Sequence, residues 1–394
     1  MQPNIYYFND HKILIKKIDT QAYYVIKKLR QNGFIAYLVG GSVRDLLLRQ
    51  IPKDFDVSTS AKPEEIRRIF KNSLLIGKRF RLAHVRFGKK IIEVSTFRSG
   101  DTSTEELITN DNDWGDAEQD ALRRDFTING LFYDPEEQAI IDYVNGFEDA
   151  KNQVLRSIGT SKIRFIQDPV RMIRLLKFKA RFDLNIEKET LNALKTCKEE
   201  ITKSSPARIL EELLKMLESG FASNFFHLLV KYNFIQILLP IINDYPYKQK
   251  IYTLLDKADD YNIKNRFNFL DRSLLLSCIL FPILERELKT ISHDQNVHLG
   301  FVAEKTKQLI NNIFLPLFHL PRKTKVIMIS ILVNQFRFTP ILKKNHSKKH
   351  MSKDPYIDFA IKFFGIRSQV DPKLLKSYTT WHEIYINAHN RHKK

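Results

Sequence analysis

Cysteine is scarce in this sequence: Cys197 and Cys278 are the two cysteines among 394 residues. They belong to no CxxC or histidine-rich pattern, so a disulfide framework is excluded on count alone and a zinc site is not expected. Long apolar runs are lacking too. The longest, Ile235–Ile242 and Leu274–Leu284, are too short to span a bilayer, and residues 1–20 have no apolar signal-peptide core. These absences predict a soluble cytoplasmic protein that makes no membrane contact.

Acidic residues are the minority, with 45 Asp and Glu against 64 Lys and Arg and a formal net charge of +19. This excess, concentrated after residue 150, indicates a polyanionic partner, most commonly nucleic acid. General solubility is the alternative explanation. No internal repeat is visible. The length leaves room for two to four domains by the usual domain size, roughly 100–200 residues.

A glycine turn stands near the N-terminus, between a predicted strand over Ile35–Val39 and a predicted helix over residues 42–48. The turn is Gly40-Gly41. Backbone amides of such a turn, together with the N-terminus of the following helix, can receive a phosphate. The stretch therefore predicts a phosphate cradle.

Two carboxylates, Asp54 and Asp56, follow the glycine turn in the sequence. A second strand is predicted over Phe55–Thr59, and strand alternation puts Asp54 and Asp56 on one face, where both can reach one metal ion. Glu93 interrupts an apolar, β-branched run predicted as a strand over Ile91–Phe97. A carboxylate there is costly unless it lies on an edge strand, is paired or binds a metal. A surface glutamate on an edge strand is the alternative.

The rest of the first 157 residues predicts a mixture of helices and about five strands. Helical spacing extends over residues 11–32 and stops at Gly33. The acidic segment 100–116 has no usable periodicity and is predicted to be a mobile loop. A basic segment, 343–353, is predicted to be a surface loop or arm.

Beyond residue 158 helical periodicity dominates. Asp168 and Pro169 begin one of these helices, as N-cap and first-turn proline. The spacing puts Arg171, Arg174 and Lys177 on one side of it.

The order of these signals resembles the class II nucleotidyltransferases, the family of tRNA CCA-adding enzymes and bacterial poly(A) polymerases. The segments that carry the resemblance are Leu38–Leu48, Pro52–Thr59, Ile92–Arg98, Arg123–Leu131 and Asp168–Phe182. The resemblance implies an α+β nucleotidyltransferase head with a mixed β-sheet over residues 1–157. An all-α neck that selects the base and binds RNA would follow over 158–220, then an all-α, RNA-binding body and basic tail over 221–394.

In that family an RNA 3′-hydroxyl attacks the α-phosphate of a nucleoside triphosphate, and two Mg²⁺ ions assist. The resemblance makes Asp54 and Asp56 the ligands of Mg²⁺ and Glu93 a third catalytic carboxylate. It also implies a set of nucleotide-binding residues: Gly40, Gly41, Arg44, Arg124, Asp125, Asn129, Asp168, Arg171 and Arg174.

Within that set, Asp168 and Arg171 would read the base and favour A or C over G or U. The alternative for Asp168 is a helix N-cap and nothing more. Two positions depart from the family pattern: Gln167 stands where an acid often precedes the aspartate, and Lys177 replaces a third arginine. Lysine cannot make the planar bidentate contact of an arginine, so the family pattern does not extend to one phosphate or stacking contact at this position.

Three segments resemble the bacterial poly(A) polymerase branch: residues 80–88, residues 205–212 and the tail around 320–323 and 363–369. We therefore expect addition of AMP from ATP to RNA 3′ ends, with mRNA or small RNA as partner and a monomeric enzyme. A tRNA CCA-adding enzyme is the first alternative, with tRNA as its partner. An inactive RNA-binding relative is the second.

Overall fold

A computed structural model describes residues 2–77, 81–100, 107, 113–265, 269–291, 298–339 and 353–391. The chain divides into two compact units, Met1–Lys203 and Ser204–Lys394. The predicted loop at 100–116, the predicted arm at 343–353 and the start of the segment 80–88 lie wholly or partly outside the described residues.

An eight-stranded mixed sheet is the centre of the first unit, counted over the described residues. Its strands are β1 (Asn4–Tyr6), β2 (Ala36–Val39), β3 (Asp56–Thr59), β4 (Ser73–Ile76), β5 (Leu82–Phe87), β6 (Lys90–Thr96), β7 (Leu131–Asp134) and β8 (Ala139–Asp142). The order across the sheet is β1-β8-β7-β2-β3-β6-β5-β4. The β3–β6 pair is parallel and the other pairs are antiparallel. The predicted α+β head with a mixed sheet is confirmed.

Helices cover this sheet and extend beyond it. They are α1 (Phe8–His11), α2 (Thr20–Gln31), α3 (Gly41–Leu47), α4 (Pro63–Ile69), α5 (Ala117–Leu122), α6 (Gly146–Lys151), α7 (Ser161–Gln167), α8 (Val170–Phe182) and α9 (Lys188–Cys197). Short 3₁₀ turns occupy Ile15–Lys17, Thr127–Asn129 and Lys198–Lys203. A separate parallel pair joins β9 (Val154–Leu155) to β10 (Asn185–Ile186).

The two faces of the sheet carry different clusters. Leu38, Val57 and Val94 join a large core with the apolar sides of α2 and α4. Val39 instead joins a smaller cluster with Phe132. Because neighbouring residues of a strand point to opposite faces, the smaller cluster marks the second face of the sheet.

The predicted start of one helix and the predicted number of strands in the head were wrong. The helix predicted over 11–32 begins only at Thr20, because the Asp19 carboxylate accepts hydrogen bonds from the amides of Gln21 and Ala22 and caps the helix there. The estimate of about five strands missed three short ones, β1, β4 and β7. Of these, β7 pairs with β2 and so lies in the middle of the sheet.

The described residues of the second unit contain helices and no strand. The helices are α10 (Pro206–Leu217), α11 (Ala222–Lys231), α12 (Phe234–Leu238), α13 (Pro240–Asp244), α14 (Lys248–Lys264), α15 (Arg272–Ile291), α16 (Leu299–Phe314), α17 (Arg322–Phe338), α18 (Ile357–Val370) and α19 (Leu375–Arg391). The expected helical remainder is confirmed. No helix in the described ranges combines the length and apolar character needed to cross a membrane.

Buried or half-buried arginines tie these helices together. Arg272 at the start of α15 bonds Glu211 of α10 at 2.9 Å and Glu218, the C-cap of α10, at 2.6 Å. Arg367 of α18 bonds Gln335 at 3.0 Å, and its guanidinium lies 4.1 Å from the ring centroid of Phe281. Charged groups therefore stabilise the packing of this unit alongside its apolar core.

A close contact between α6 and the turn Thr127–Asn129 allows a first test. A Cβ on Gly146 would lie 2.7 Å from the carbonyl carbon of Thr127, which is backbone and cannot move aside cheaply. We expect Gly146→Ala to lower the free energy of unfolding by about 1–3 kcal/mol, the usual cost of overpacking. Gly100→Ala is the matched control, because its Cβ would meet the Arg123 side chain at an ordinary 3.7 Å. Urea denaturation measures the difference, and equal midpoints would contradict the prediction.

Candidate active site

The turn between β2 and α3 contains the glycines of the predicted phosphate cradle. Gly40 has a φ of +66°, a conformation that residues with side chains rarely adopt. A Cβ there would also lie 3.0 Å from Nη1 of Arg124. A Cβ on Gly41 would meet Nη2 of Arg44 at an ordinary 3.6 Å. Gly40 is therefore the residue that lets Arg124 approach the turn.

Asp56 and Glu93 are neighbours on the second face of the sheet. The parallel strands β3 and β6 pair Val57 with Val94, so the preceding residue of each strand lies beside the other. His84 of β5 is paired with Glu93, and its Nε2 lies 3.2 Å from Glu93 Oε1. The sheet register thus brings together two carboxylates that are distant in sequence.

Asp54 lies outside β3, which begins at Asp56, so the predicted strand boundary was wrong and strand alternation does not position Asp54. The Asp54 carboxylate nevertheless lies close enough to affect the pKa of Asp56. Burial first, then the carboxylates of Glu93 and Asp54, raise the pKa of Asp56 to about 6, while Arg124 opposes the rise. In the described part of the chain, no group of three or more His, Cys, Asp or Glu side chains is arranged so that it could hold a metal ion.

Arg44 is 6% exposed and packed into the protein. Its Nε and Nη2 donate to Oδ1 of Asp45 at 2.9 and 2.6 Å, and Nη1 donates to Oδ1 of Asn129 at 2.6 Å. The guanidinium lies 4.8 Å from the ring centroid of Phe178 and 4.9 Å from that of Phe182. Burial lowers its pKa, and Asp45 opposes this effect. In this structure the Arg44 side chain is buried and bonded to Asp45 and Asn129. Its contact with a triphosphate stays a prediction.

Asp120 of α5 is fully buried and holds two arginines. Arg123 Nη2 lies 2.9 Å and Arg124 Nη2 lies 2.7 Å from its carboxylate. Arg124 also lies 5.7 Å from the ring centroid of Phe132. Burial alone would raise the pKa of Asp120, but the two arginines lower it. The Arg124 guanidinium is therefore fixed beside the glycine turn.

Asp125 follows directly and accepts three kinds of donor. The amide of Phe126 and Nδ2 of Asn129 each lie 2.9 Å from its Oδ1, and Nε of Arg174 lies 2.7 Å from its Oδ2. Burial would raise the pKa of Asp125, but Arg174, Asn129 and Arg171 lower it well below its usual range. Asp125 is thus an ionised, fully engaged carboxylate in the interior.

These contacts form one continuous network. Starting from α8, Arg181 bonds Asp45 at 2.9 Å. Asp45 bonds Arg44, Arg44 bonds Asn129, Asn129 bonds Asp125, and Asp125 bonds Arg174, which is again on α8. The network connects the helix after the glycine turn to the helix that carries the predicted base readers.

The predicted base reader Arg171 is buried against backbone. Its Nη2 donates to the carbonyl of Arg123 at 2.9 Å and its Nη1 to that of Arg124 at 3.3 Å. Arg164 donates to the same two carbonyls at 2.6 and 2.9 Å. Burial lowers the pKa of Arg164 to about 9, with nearby Arg171 acting in the same direction.

Asp168 lies between α7 and α8 and closes the first of them as its C-cap residue. Its carboxylate acts to raise the pKa of Arg171, opposing the larger effect of burial. The two predicted base readers are therefore close in space. The amide of Arg171 donates to the Asp168 carbonyl at 3.0 Å. The predicted N-cap was wrong, because Asp168 ends α7 and Pro169 is the N-cap of α8, with no side-chain capping bond.

Most of the head matches a known family profile. The profile described as "Poly A polymerase head domain" matches residues 36–156, which contain the glycine turn, the carboxylates and Arg124. A second profile, "Probable RNA and SrmB- binding site of polymerase A", matches residues 183–245. Poly(A) polymerase I of Escherichia coli O157:H7 is 40% identical over 297 residues. Residues 36–156 therefore match the poly(A) polymerase head domain, and the chain is similar in sequence to poly(A) polymerases and to CCA-adding enzymes.

Curated family members match this chain over part of their length. The alignment with the E. coli O157:H7 protein covers 71% of this chain and 64% of that protein. Poly(A) polymerase I of Haemophilus influenzae is 42% identical over 56% of this chain and 51% of its own length. The CCA-adding enzyme of Streptococcus sanguinis is 35% identical over 60% of this chain and 59% of its own. The chain spans less than two thirds of these relatives.

Solved structures of the family share the fold. The Bacillus stearothermophilus CCA-adding enzyme in complex with CTP has a TM-score of 0.63 and 23% identity, covering 91% of this chain and 82% of that one. A tRNA nucleotidyltransferase complexed with a primer tRNA and an incoming ATP analog has a TM-score of 0.60 and 20% identity, covering 93% and 99%. At these identities the likeness concerns the fold, with its mixed-sheet head and helical remainder.

Several residues of the site were not predicted from the sequence. Asp45, Asp120 and Arg164 hold the arginines or their backbone, and Phe178 and Phe182 flank Arg44. Asp45 could have been found, because it directly follows Arg44 in the family motif. Nothing in the local pattern around Arg164 indicated that its partner would be the backbone of another segment.

The buried charge of Asp125 allows a second test. Asp125→Asn removes the ion pair with Arg174 and leaves Arg171 with less compensation, so we expect the free energy of unfolding to fall by about 3 kcal/mol at neutral pH. Because the folded pKa is lowered from 3.8, the difference from wild type should be complete above about pH 4 and shrink as the pH falls further. Urea denaturation across pH measures it.

Asp183→Asn is the matched control. Asp183 follows α8 and pairs with Lys179 at 2.7 Å, but its side chain is 93% exposed. We expect a change of less than about 0.5 kcal/mol. Equal effects of the two substitutions would contradict the role assigned to Asp125.

Proposed function

We propose that this chain is a template-independent RNA nucleotidyltransferase that adds AMP from ATP to RNA 3′ ends, a poly(A) polymerase. Its support is the 40% identity to poly(A) polymerase I across 71% of the chain; the S. sanguinis CCA-adding enzyme matches at 35% across 60%. CCA addition to tRNA is the second candidate, favoured by the likeness of fold to CCA-adding enzymes.

The observation that carries the proposal is the position of Asp56 and Glu93 next to the Gly40 turn and Arg124. Arg124 affects the pKa of Asp56 and lies against Gly40. Acidic groups therefore lie beside a cation and a glycine turn, as transfer of a phosphoryl group requires. An inactive binding module would have no need for the Asp54 and Asp56 pair.

In the proposed reaction, the oxygen of the RNA 3′-hydroxyl forms a bond to the α-phosphorus of ATP. The bond from that phosphorus to the bridging oxygen of the β-phosphate breaks, pyrophosphate leaves and the hydroxyl proton passes to solvent. Arg124 and the amides of Gly40 and Gly41 would bind the triphosphate. Arg44 would act through Asn129, which it bonds directly.

The carboxylates fit Mg²⁺. This ion prefers oxygen ligands. Burial, and then the nearby carboxylates of Glu93 and Asp54, raise the pKa of Asp56, so its ionised form has a cost that a divalent cation would offset. Asp54 and Asp56 would hold the ion, with Glu93 as the third carboxylate. When bound, Mg²⁺ would lower the pKa of the attacking hydroxyl and offset the charge on the leaving oxygens.

Base choice is assigned to Asp168 and Arg171. An aspartate accepts from an exocyclic amino group and an arginine donates to a ring nitrogen or oxygen, which favours A or C. Arg171 also holds the carbonyls of the segment that carries Arg124. Arg174 would act through Asp125, and Asn129 would position the ribose. Reading of the base and binding of the phosphates are in this way mechanically connected.

Incorporation of labelled ATP and CTP, on oligo(A) and on tRNA lacking its 3′ end, tests the proposal. We expect repeated addition of AMP to oligo(A), because the sequence is most extensively similar to poly(A) polymerase I among the relatives compared above. Addition that stops at CCA on tRNA would replace the proposal with the second candidate. Absence of incorporation on every substrate would favour an RNA-binding module.

Asp56→Ala tests the carboxylate site. Incorporation should fall below detection, because a ligand for Mg²⁺ is lost, while affinity for oligo(A) stays nearly unchanged. Asp183→Ala, which removes an exposed carboxylate, should keep full incorporation. Activity of the Asp56 variant close to wild type would remove Asp56 from the site.

A further inference from the structure

We infer that the second unit carries a binding site for a nucleotide of single-stranded RNA, in a cavity between the turn Tyr245–Tyr247 and helix α15. The cavity measures about 410 Å³, within the range of ligand sites, roughly 300–1,000 Å³. The inference rests on the proposed RNA substrate and adds a site outside the head.

Two aromatic rings line the cavity. Tyr245 is 5% exposed, and its hydroxyl donates to the carbonyl of Pro282 at 3.0 Å, so this ring is held in place. Tyr247 is 53% exposed, and its ring lies 6.0 Å from that of Tyr245 at 70°. The guanidinium of Arg286 lies 4.9 Å from the Tyr247 ring centroid. An exposed aromatic ring beside a guanidinium is a stacking surface for an unpaired base.

Cations surround this stacking surface. Lys250 and Lys289 lie 3.9 and 3.1 Å from the carboxylate of Glu285. With Arg286, the lining contains three cations and one carboxylate and so keeps a net charge of +2. Both lysines are exposed, and their ammonium groups can reach the phosphates that flank a stacked base.

The combination selects single-stranded RNA over other polyanions. An acidic peptide offers carboxylates to the lysines but has no base for Tyr247, and a duplex keeps its bases stacked within the helix. The matched RNA-binding profile ends at residue 245, so Tyr247, Lys250 and Arg286 all lie beyond it.

Fluorescence anisotropy of the full chain with a short labelled oligo(A), in the absence of nucleotide, tests the site. Tyr247→Ala should weaken binding roughly five- to 150-fold, the range for loss of one stacked base, and Tyr247→Phe should retain it. Lys250→Ala and Lys289→Ala should each reduce the slope of log Kd against log salt by about 0.7 for a lost phosphate contact.

Tyr24 and Lys28 in α2 provide the matched control, because Tyr24 is 47% exposed and Lys28 Nζ lies 5.8 Å from its ring centroid. Tyr24→Ala and Lys28→Ala should leave the affinity unchanged. Unchanged affinity in Tyr247→Ala would overturn the site. Competition by poly(glutamate) as strong as that by oligo(A) of equal charge would assign the surface to acidic proteins and overturn it as well.

The binding assay separates this inference from the proposed activity. Binding that depends on Tyr247 in a chain that incorporates no nucleotide would support the site and contradict the activity. Incorporation together with binding that does not depend on Tyr247 would support the activity and contradict the site. Thermal unfolding of each variant checks that its fold is intact.

Discussion

The hydrogen bond between Arg44 and Asn129, 2.6 Å long and buried, is the contact on which the candidate site depends. A guanidinium removed from water is costly unless its donors are satisfied. Asp45 and Asn129 satisfy it, and Asn129 is in turn held by Asp125. The helix after the glycine turn, the turn at residues 127–129 and helix α8 must therefore assemble together.

The sheet supplies the second constraint. Its register makes Asp56 and Glu93 neighbours on the face opposite the large core. Carboxylates on that face do not pack against the apolar sides of α2 and α4. Burial, followed by the nearby charges of Glu93 and Asp54, nevertheless raises the pKa of Asp56 to about 6. A site that concentrates negative charge beside Arg124 is suited to a divalent cation and a triphosphate.

Three arginines of α7 and α8 contact the segment at residues 123–125. Arg164 and Arg171 both donate to the carbonyls of residues 123 and 124, and Arg174 holds Asp125. A helix expected to contact the nucleotide is thus also the support of the segment that carries Arg124. Movement of this helix would therefore be transmitted to the segment that carries Arg124.

Short-range patterns in the sequence determined the glycine turn, the mixed head and the helical remainder. Each depends on a local preference: φ at Gly40, strand alternation in β3 and β6, or helical spacing beyond residue 158. The closeness of Asp56 and Glu93 follows instead from the sheet register. Helical spacing over residues 11–32 also predicted too long a helix, because Asp19 caps the helix and it begins only at Thr20.

Only the tertiary structure decided which partners the charged residues take. Arg44 and Asn129 are 85 residues apart in sequence, and a cation that faces a ligand has the same local pattern as one that is buried against a carboxylate. The same holds for β7, a short strand whose place beside β2 follows from pairing with distant segments. Strand pairing and burial bring these distant residues together, and local spacing in the sequence does not predict either of them.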